Sequence, residues 1–294
     1  MKISEILSRK RVLLSFEIFP PKKQDSFDSV ASAAEKLIEL KPDFISITCG
    51  AGGTTKVNTA SLAAVIQRHG ITALPHLTCV RSSKPEIESS AAELKSLGIE
   101  NILALRGDLP KDAKSEENLF PSGMKHASDL LPLVKSAGFC AGGACYPEGH
   151  PESKNRIEDI NNLKYKVSAG ADFLTTQMFF DNDMFYSFAE KARSAGINVP
   201  VLAGIMPVTN ASQVEKMIDL SDAYIPRKLS AICDKYRADP KAMRQAGIAY
   251  AVDQIIDLIS NGVRGIHIYT MNKSETAKAI ISATDEIFRA ANRT

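Results

Sequence analysis

Apolar residues gather in eight short runs, each ending in or just before a polar or glycine-bearing turn. The runs are Val12–Ile18, Asp43–Cys49, Ile71–Cys79, Ile99–Leu105, Phe139–Tyr146, Ala171–Phe179, Val199–Met206 and Val263–Thr270. Segments such as Phe44-Ile45-Ser46-Ile47 and Ile102-Leu103-Ala104-Leu105 suit strands buried on both faces. Between the runs the spacing turns helical. Ser26–Leu40 sets Phe27, Val30, Ala34, Leu37 and Ile38 on one face. Lys84–Leu97 opens with Pro85 and closes at Gly98. Glu152–Ala169, Asn182–Ala195, Ser212–Leu220 and Ser274–Ala291 read as further helices, and a long helical region from Pro226 to Ser260 breaks near Ala238-Asp239-Pro240. Strands separated by helices of this length pair in parallel through right-handed crossovers. Eight such units predict an α/β fold: a (β/α)8 TIM barrel with extra helices, one catalytic domain over residues 1–294. In a closed barrel the groups at the carboxyl ends of the strands collect at one mouth, so residues far apart in sequence can share one site. The stretch Leu109–Gly123 breaks the rhythm with charges, Pro110 and Pro121, and reads as a long binding loop after the fourth strand.

An open doubly wound sheet would usually carry Gly-x-Gly-x-x-Gly after its first strand. Here that turn is Phe19-Pro20-Pro21-Lys22, the cluster Gly50-Ala51-Gly52-Gly53 lacks the fingerprint spacing, and no Walker loop occurs. A bound dinucleotide would need some other cradle. The 294 residues suffice for one barrel-sized core, and 44% hydrophobic with 24% charged residues is ordinary for a globular protein. A net charge of +2, with only short basic clusters at Arg9-Lys10-Arg11 and Lys22-Lys23, gives no case for nucleic acid. No segment has the run of apolar residues needed to span a bilayer, and Met1–Arg11 lacks the apolar core of a signal peptide, so a cytoplasmic protein is the expectation. The five cysteines include no Cys-x-x-Cys and are odd in number, which favours buried, inert thiols over a disulfide framework.

Several strand ends carry chemically capable groups. Glu17 lies in Ser15-Phe16-Glu17-Ile18-Phe19, a carboxyl among apolar neighbours, where desolvation favours the protonated form that a general acid needs. The other reading is a barrel-interior glutamate paired with a lysine or arginine. Arg106-Gly107-Asp108 follows the fourth strand; glycine admits a close backbone approach, and Asp108 either accepts hydrogen bonds from a ligand ring or caps a loop. His76, His150 and His267 raise a metal hypothesis, but no His-x-His or His-Glu-x-x-His spacing supports it. Hydrogen bonding to a polar ligand suits His76, and His267 reads as a core residue. Gln177, at the end of the sixth strand, offers donors and acceptors to a heterocycle edge. No serine elbow is present, which leaves acyl transfer without support.

Taken in order, Ser15-Phe16-Glu17-Ile18-Phe19-Pro20-Pro21-Lys22, Pro75-His76-Leu77-Thr78-Cys79, Ala104-Leu105-Arg106-Gly107-Asp108-Leu109-Pro110, Tyr146-Pro147-Glu148-Gly149-His150-Pro151 and Thr176-Gln177-Met178-Phe179-Phe180-Asp181 resemble methylenetetrahydrofolate reductase. The likeness continues through Gly204-Ile205-Met206-Pro207-Val208-Thr209-Asn210 and His267-Ile268-Tyr269-Thr270-Met271-Asn272, and covers nearly the full chain. It implies a barrel that holds FAD without a Rossmann motif. NADH or NADPH would reduce the flavin and leave, and 5,10-methylenetetrahydrofolate would then be reduced to 5-methyltetrahydrofolate in the same place, giving ping-pong kinetics.

The same resemblance implies Glu17 as proton donor, with Asp108 near both flavin and pterin and Gln177 on the pterin. Flavin contacts would fall on Thr48, Ala51, His76, Arg106, Gly107, Asp108, Ala127, Tyr146 and His150, and on Asp159, Asn162, Tyr165 and Lys166 along the helix after the fifth strand. Gln213 maps to a further substrate contact. Met217 stands where a stacking phenylalanine is usual, and Lys273 where an arginine contacts the folate; a methionine still packs on a ring, while a lysine replaces a bidentate grip with a point charge. The resemblance is to the short form, and so implies no regulatory domain of the eukaryotic kind. The choice between NADH, NADPH and a protein electron donor is left open, as is oligomeric state, a homo-oligomer included.

Overall fold

The computed structural model describes residues 1–21, 27–49, 56–109, 116–212, 214 and 223–293. Ala51, Gln213 and Met217 lie outside the described residues, as do most of Ser212–Leu220 and part of Leu109–Gly123. Eight strands form one closed barrel in sequence order: β1 (Leu13–Ile18), β2 (Phe44–Ile47), β3 (Thr72–Thr78), β4 (Asn101–Leu105), β5 (Cys140–Cys145), β6 (Phe173–Thr176), β7 (Val201–Ile205) and β8 (Gly265–Tyr269). Every neighbouring pair is parallel, and β8 returns to β1 with Ser15 opposite His267 and Glu17 opposite Tyr269.

The described helices are α1 (Ile3–Arg9), α2 (Phe27–Ile38), α3 (Lys56–Arg68), α4 (Lys84–Ser96), α5 (Glu116–Leu119), α6 (Ala127–Ser136), α7 (Arg156–Ser168), α8 (Asn182–Ser194), α9 (Arg227–Tyr236), α10 (Pro240–Ser260) and α11 (Ser274–Asn292). The barrel and the break between α9 and α10 follow the sequence reading. Asp239 caps α10 by accepting from the backbone N–H groups of Lys241 and Ala242 at 3.0 Å each, with Pro240 in the first turn.

Three local differences have physical causes. The stretch expected to be helical from Glu152 begins at Arg156, because the Asn155 side chain accepts from the N–H groups of Ile157 and Glu158 and fixes the start there. Glu152 is thereby released to a loop. The loop expected over Leu109–Gly123 contains the short helix α5. The helix α6 carries Pro132, which obscures its spacing in the sequence; Asp129 secures its entry by accepting from the N–H groups of Lys125 and His126 at 2.9 Å.

The alternation of side chains along the strands gives the barrel two unlike ends. Outward residues such as Phe16, Ile45, Ala73, Ile102, Leu174, Ala203 and Ile266 join the layer packed under the helices. Inward residues Leu13, Phe44, Leu74, Leu103, Phe173 and Leu202 form a separate apolar floor, capped by Ile3 and Leu7 of α1. Space for that floor comes partly from Gly142: a Cβ there would lie 2.6 Å from the Phe173 ring and 2.8 Å from Leu103. Further up, the inward residues are Ser15, Ser46, His76, Thr175 and His267, then Glu17 and Tyr269. The interior thus changes from hydrocarbon at the floor to hydrogen-bonding groups at the mouth. Buried polar groups are retained where partners or ligands satisfy them, so the mouth is where chemistry is expected.

The plug is tied down by one buried amide. Asn101 accepts from the Ile3 N–H at 2.7 Å and donates to the Met1 carbonyl at 3.0 Å. Replacing Asn101 with Ala is expected to lower the unfolding free energy by about 1–3 kcal/mol, because both backbone groups lose a buried partner. Urea unfolding of the two proteins side by side measures this; equal midpoints would show that α1 is held by its apolar contacts alone.

Candidate active site

Glu17 ends β1 pointing into the barrel, buried, with its carboxylate among three polar side chains. The Ser46 hydroxyl donates to Oε2 at 3.4 Å, His76 Nε2 stands 3.5 Å from the same oxygen and His267 Nε2 3.7 Å from it. Among the described residues the side chains that could pair with the Glu17 carboxylate by charge are histidines, not the Lys or Arg of the alternative reading. His267 is held from both sides: Nδ1 lies 2.8 Å from the Ser15 hydroxyl, Nε2 lies 3.4 Å from the Ser46 hydroxyl, and its ring stacks on Phe44. The Glu17 backbone carbonyl accepts from the Thr270 hydroxyl at 2.7 Å, so the strand end itself is fixed. Asn272 then clamps Phe19, accepting from its N–H and donating to its carbonyl at 2.9 Å each.

Burial drives the His76 pKa down to about 4, against the pull of the Glu17 carboxylate and with His267 adding to the lowering. His76 is neutral at physiological pH, and its Nε2 has no hydrogen-bond partner among the described residues. Such an atom at a barrel mouth is one a ligand can satisfy. His76 and His267 meet at Glu17, whereas His150 lies against Tyr146 further round the mouth. Among the described residues no His, Cys, Asp and Glu set has the arrangement of a metal site.

Beside this cluster a cavity of about 530 Å³ opens between the ends of β4 and β5 and the flank of α7. That volume is in the range of small-molecule sites. Its wall includes Arg106, Tyr146 and His150 from the strand-end loops and Ala127 from the start of α6. Asp159, Asn162 and Lys166 add one stripe of α7, with Tyr165 at the edge. Eight of the expected cofactor contacts are brought together here.

The chemistry of the wall is particular. Lys166 donates to the Ala144 carbonyl at 2.6 Å, and burial lowers its pKa, so an ammonium is held in a place that penalises its charge. Tyr146 is half-buried, edge-on to His150 at 4.6 Å, and desolvation pushes its hydroxyl up to about 12. His150 Nδ1 accepts from the Glu152 N–H, and burial lowers its pKa. Arg106 reaches across the rim in a bidentate pair with Glu152, at 2.6 and 2.8 Å, which holds the Glu152 carboxyl below the usual range. A buried ammonium, a guanidinium and two aromatic rings around one cavity suit a ligand with a diphosphate and flat ring systems, which is the chemistry of FAD.

The other expected site residues line the approach. Gly107 has φ +90°, and this left-handed turn sends Arg106 to the cavity rim and leaves Asp108 exposed. Thr48 follows β2, its N–H donating to the Ile18 carbonyl at 3.1 Å. Gln177 follows β6; its N–H donates to the Cys145 carbonyl at 2.8 Å, and its side-chain oxygen accepts from the Met178 N–H at 3.0 Å. Lys273 begins α11 and donates to the Thr209 hydroxyl at 3.3 Å, bridging the loops after β8 and β7. The thiols Cys79 and Cys145 are buried, and burial raises both; Cys79 goes up to about 12.

Sequence reasoning gave no role to Ser46, His267, Tyr269 or Glu152. The first three are visible as inward positions once strand phase is assigned from Glu17, since Ser46 and Tyr269 stand opposite it in register. Glu152 carried no signal, because its partner comes from another strand end.

Comparisons with known proteins show the family. The family profile described as methylenetetrahydrofolate reductase matches residues 2–285. A 5,10-methylenetetrahydrofolate reductase of Escherichia coli (strain K12) is 37% identical over 272 residues, covering 92% of this chain and 90% of the relative. The enzyme of the same name from Pectobacterium carotovorum subsp. carotovorum is 36% identical, with 92% and 89% covered. Methylenetetrahydrofolate reductase 1 of Schizosaccharomyces pombe is 35% identical over 96% of this chain, which corresponds to 48% of the yeast protein. Among solved structures, an uncharacterised Clostridium thermocellum protein that binds two copies of 5-methyl-5,6,7,8-tetrahydrofolic acid superposes with a TM-score of 0.65 at 14% identity, covering 99% of this chain and all of that one; it shares the fold.

The neutral, buried state of His76 has a measurable cost in acid. Its folded pKa of about 4 lies below the unfolded value of 6.5, so between these values the unfolded chain binds more protons. The stability associated with neutral His76 is complete above about pH 6.5 and is lost as the pH falls toward 4. A His76→Gln variant is expected to lose less stability than the parent between pH 7 and pH 5 in denaturant titrations. Identical losses would mean that His76 is not held neutral.

Proposed function

Because the chain belongs to the methylenetetrahydrofolate reductase family, we propose that it reduces 5,10-methylenetetrahydrofolate to 5-methyltetrahydrofolate with FAD as cofactor and NADH or NADPH as electron source. The observation that carries this reading is the junction of two features at one barrel mouth. A buried carboxyl faced by two histidines stands beside a cavity whose wall has the donors of a dinucleotide site.

Lys166 and Arg106 would hold the diphosphate, Tyr146 and Tyr165 would flank flat rings, and Asp159 and Asn162 would take ribose hydroxyls or adenine edges. His76, with its free Nε2, Thr48 and the Gly107 turn face the remaining ring system. Ala51 belongs to the same proposed set by its place in the sequence. When bound, the flavin supplies hydride transfer, accepting from the nicotinamide and giving to the folate.

The protein's own part is protonation and placement. Glu17 gives a proton to the folate nitrogen that leaves the methylene bridge, so the five-membered ring opens and an electrophilic iminium carbon is exposed for reduction. The neutral His76 faces that carboxyl without adding a fixed positive charge. Gln177 offers its amide to the pterin edge. Asp108, exposed beyond the Gly107 turn, adds negative charge beside pterin and flavin. Lys273 supplies a cation on the β8 side, with Gln213 and Met217 as further substrate contacts. The two substrates use one mouth in succession, hence ping-pong kinetics.

The protein purified with FAD is expected to be yellow, and NADH or NADPH is expected to bleach the flavin band in the absence of oxygen. Failure to bind FAD on reconstitution would remove the proposal. In Glu17→Gln, flavin bleaching persists while folate reduction falls about a hundredfold or more; stopped-flow measurement of each half-reaction separates them. Lys166→Met is expected to weaken FAD binding by about tenfold or more, read by flavin fluorescence on titration. Unchanged affinity would take the diphosphate away from Lys166.

A further inference from the structure

Tyr269 makes a contact that the strand order alone does not explain. It ends β8 beside Glu17 of β1, yet its hydroxyl donates at 2.6 Å to the carbonyl of Thr176 on β6, with β7 lying between. The reach is possible because β6 and β7 part early. Their register runs through Leu174 opposite Val201 and Thr175 opposite Leu202, whereas β7 continues beside β8 through Ala203, Gly204 and Ile205. Beyond Thr175 the seam is closed by side chains instead. The Thr176 hydroxyl oxygen accepts from the Gly204 N–H at 2.8 Å, and Tyr269 satisfies the Thr176 carbonyl. Gly204 leaves the room for this: a Cβ there would lie 2.5 Å from the Thr176 carbonyl oxygen and 2.8 and 2.9 Å from Cε2 and Oη of Tyr269. The ring is steadied edge-on against His267 at 5.3 Å, the same histidine that faces Glu17. The residue after Thr176 is Gln177.

We propose that Tyr269 is a positioning residue for Gln177: by tying the end of β6 to the strand beside Glu17, it fixes the placement of the amide that grips the pterin relative to the acid that protonates the folate. This rests on the folate-reductase reading above. Tyr269 touches neither the folate nor the flavin in this account. It acts through the backbone of Thr176, and its influence on ligand binding is spent once Gln177 has no amide to place.

The test is a double-mutant cycle on the FAD-loaded protein, with calorimetric binding of 5-methyltetrahydrofolate as the first readout and the kcat and KM of folate reduction as the second. Tyr269→Phe keeps the ring and removes the tie; it is expected to weaken folate binding roughly five- to tenfold, with KM rising more than kcat falls. In a Gln177→Ala background the same substitution is expected to change binding less than twofold. Gly204→Ala keeps the hydroxyl but takes the space its ring needs, and is expected to give the same loss with the same dependence on Gln177. It serves as the second variant if Tyr269→Phe fails to fold, with thermal unfolding and bound flavin as the check. Multiplying effects in the double variant, or folate binding in Tyr269→Phe equal to the parent, would overturn the inference and leave the reductase reading standing. A parent protein that takes up FAD but binds no 5-methyltetrahydrofolate would overturn both.

Discussion

The pairing of β1 with β8 is the constraint on which the site depends. Seven of the eight strand contacts join neighbours in sequence, and each could form in an open sheet. The eighth brings residues about 250 positions apart into register: Ser15 opposite His267 and Glu17 opposite Tyr269. Without that closure Glu17 would face solvent on an edge strand, without His267 beside it. With it, Glu17 is enclosed by groups from β2, β3 and β8. The interior polarity follows from the same closure, because a narrow barrel floor must be filled with hydrocarbon and leaves only the mouth for water and ligands.

Two different physical designs adjoin at that mouth. Around Glu17 the charges are few, the distances exceed 3.3 Å, and the partners are neutral or weakly basic. Around the cavity the charges are strong and close, with Arg106 forked onto Glu152 and an ammonium buried at Lys166. Proton transfer wants loosely held partners, so that neither protonation state is locked. Holding a diphosphate wants fixed donors whose desolvation the ligand's own charge offsets. The turn at Gly107 separates the two regimes within a few residues.

The strands were legible in the sequence because each is a short apolar run buried on both faces, and their count sufficed for a barrel. The cofactor wall on α7 came from the resemblance alone; the structure adds that Asp159, Asn162 and Lys166 line one cavity. The Glu152 partner of Arg106 was hidden, because the helix begins four residues later than its pattern implied and the pair spans two strand ends. His267 and Tyr269 were recognisable as strand residues, but their roles depend on register, which amino-acid order does not carry. The reach of Tyr269 further depends on a missing side chain on a strand it crosses.

The floor of the barrel obeys a related rule. Gly142 is bare because the ring of Phe173 and the end of Leu103 occupy its place. The two strands share one volume, divided unequally between them. Change at either position is therefore ordered in time. An alanine at 142 needs room from both the ring at 173 and the side chain at 103, and a shortened intermediate carries a void until position 142 fills it. Neutral drift through this pair must pass a less stable protein, so the barrel interior evolves by paired steps across strands while the helices outside are free to change one residue at a time.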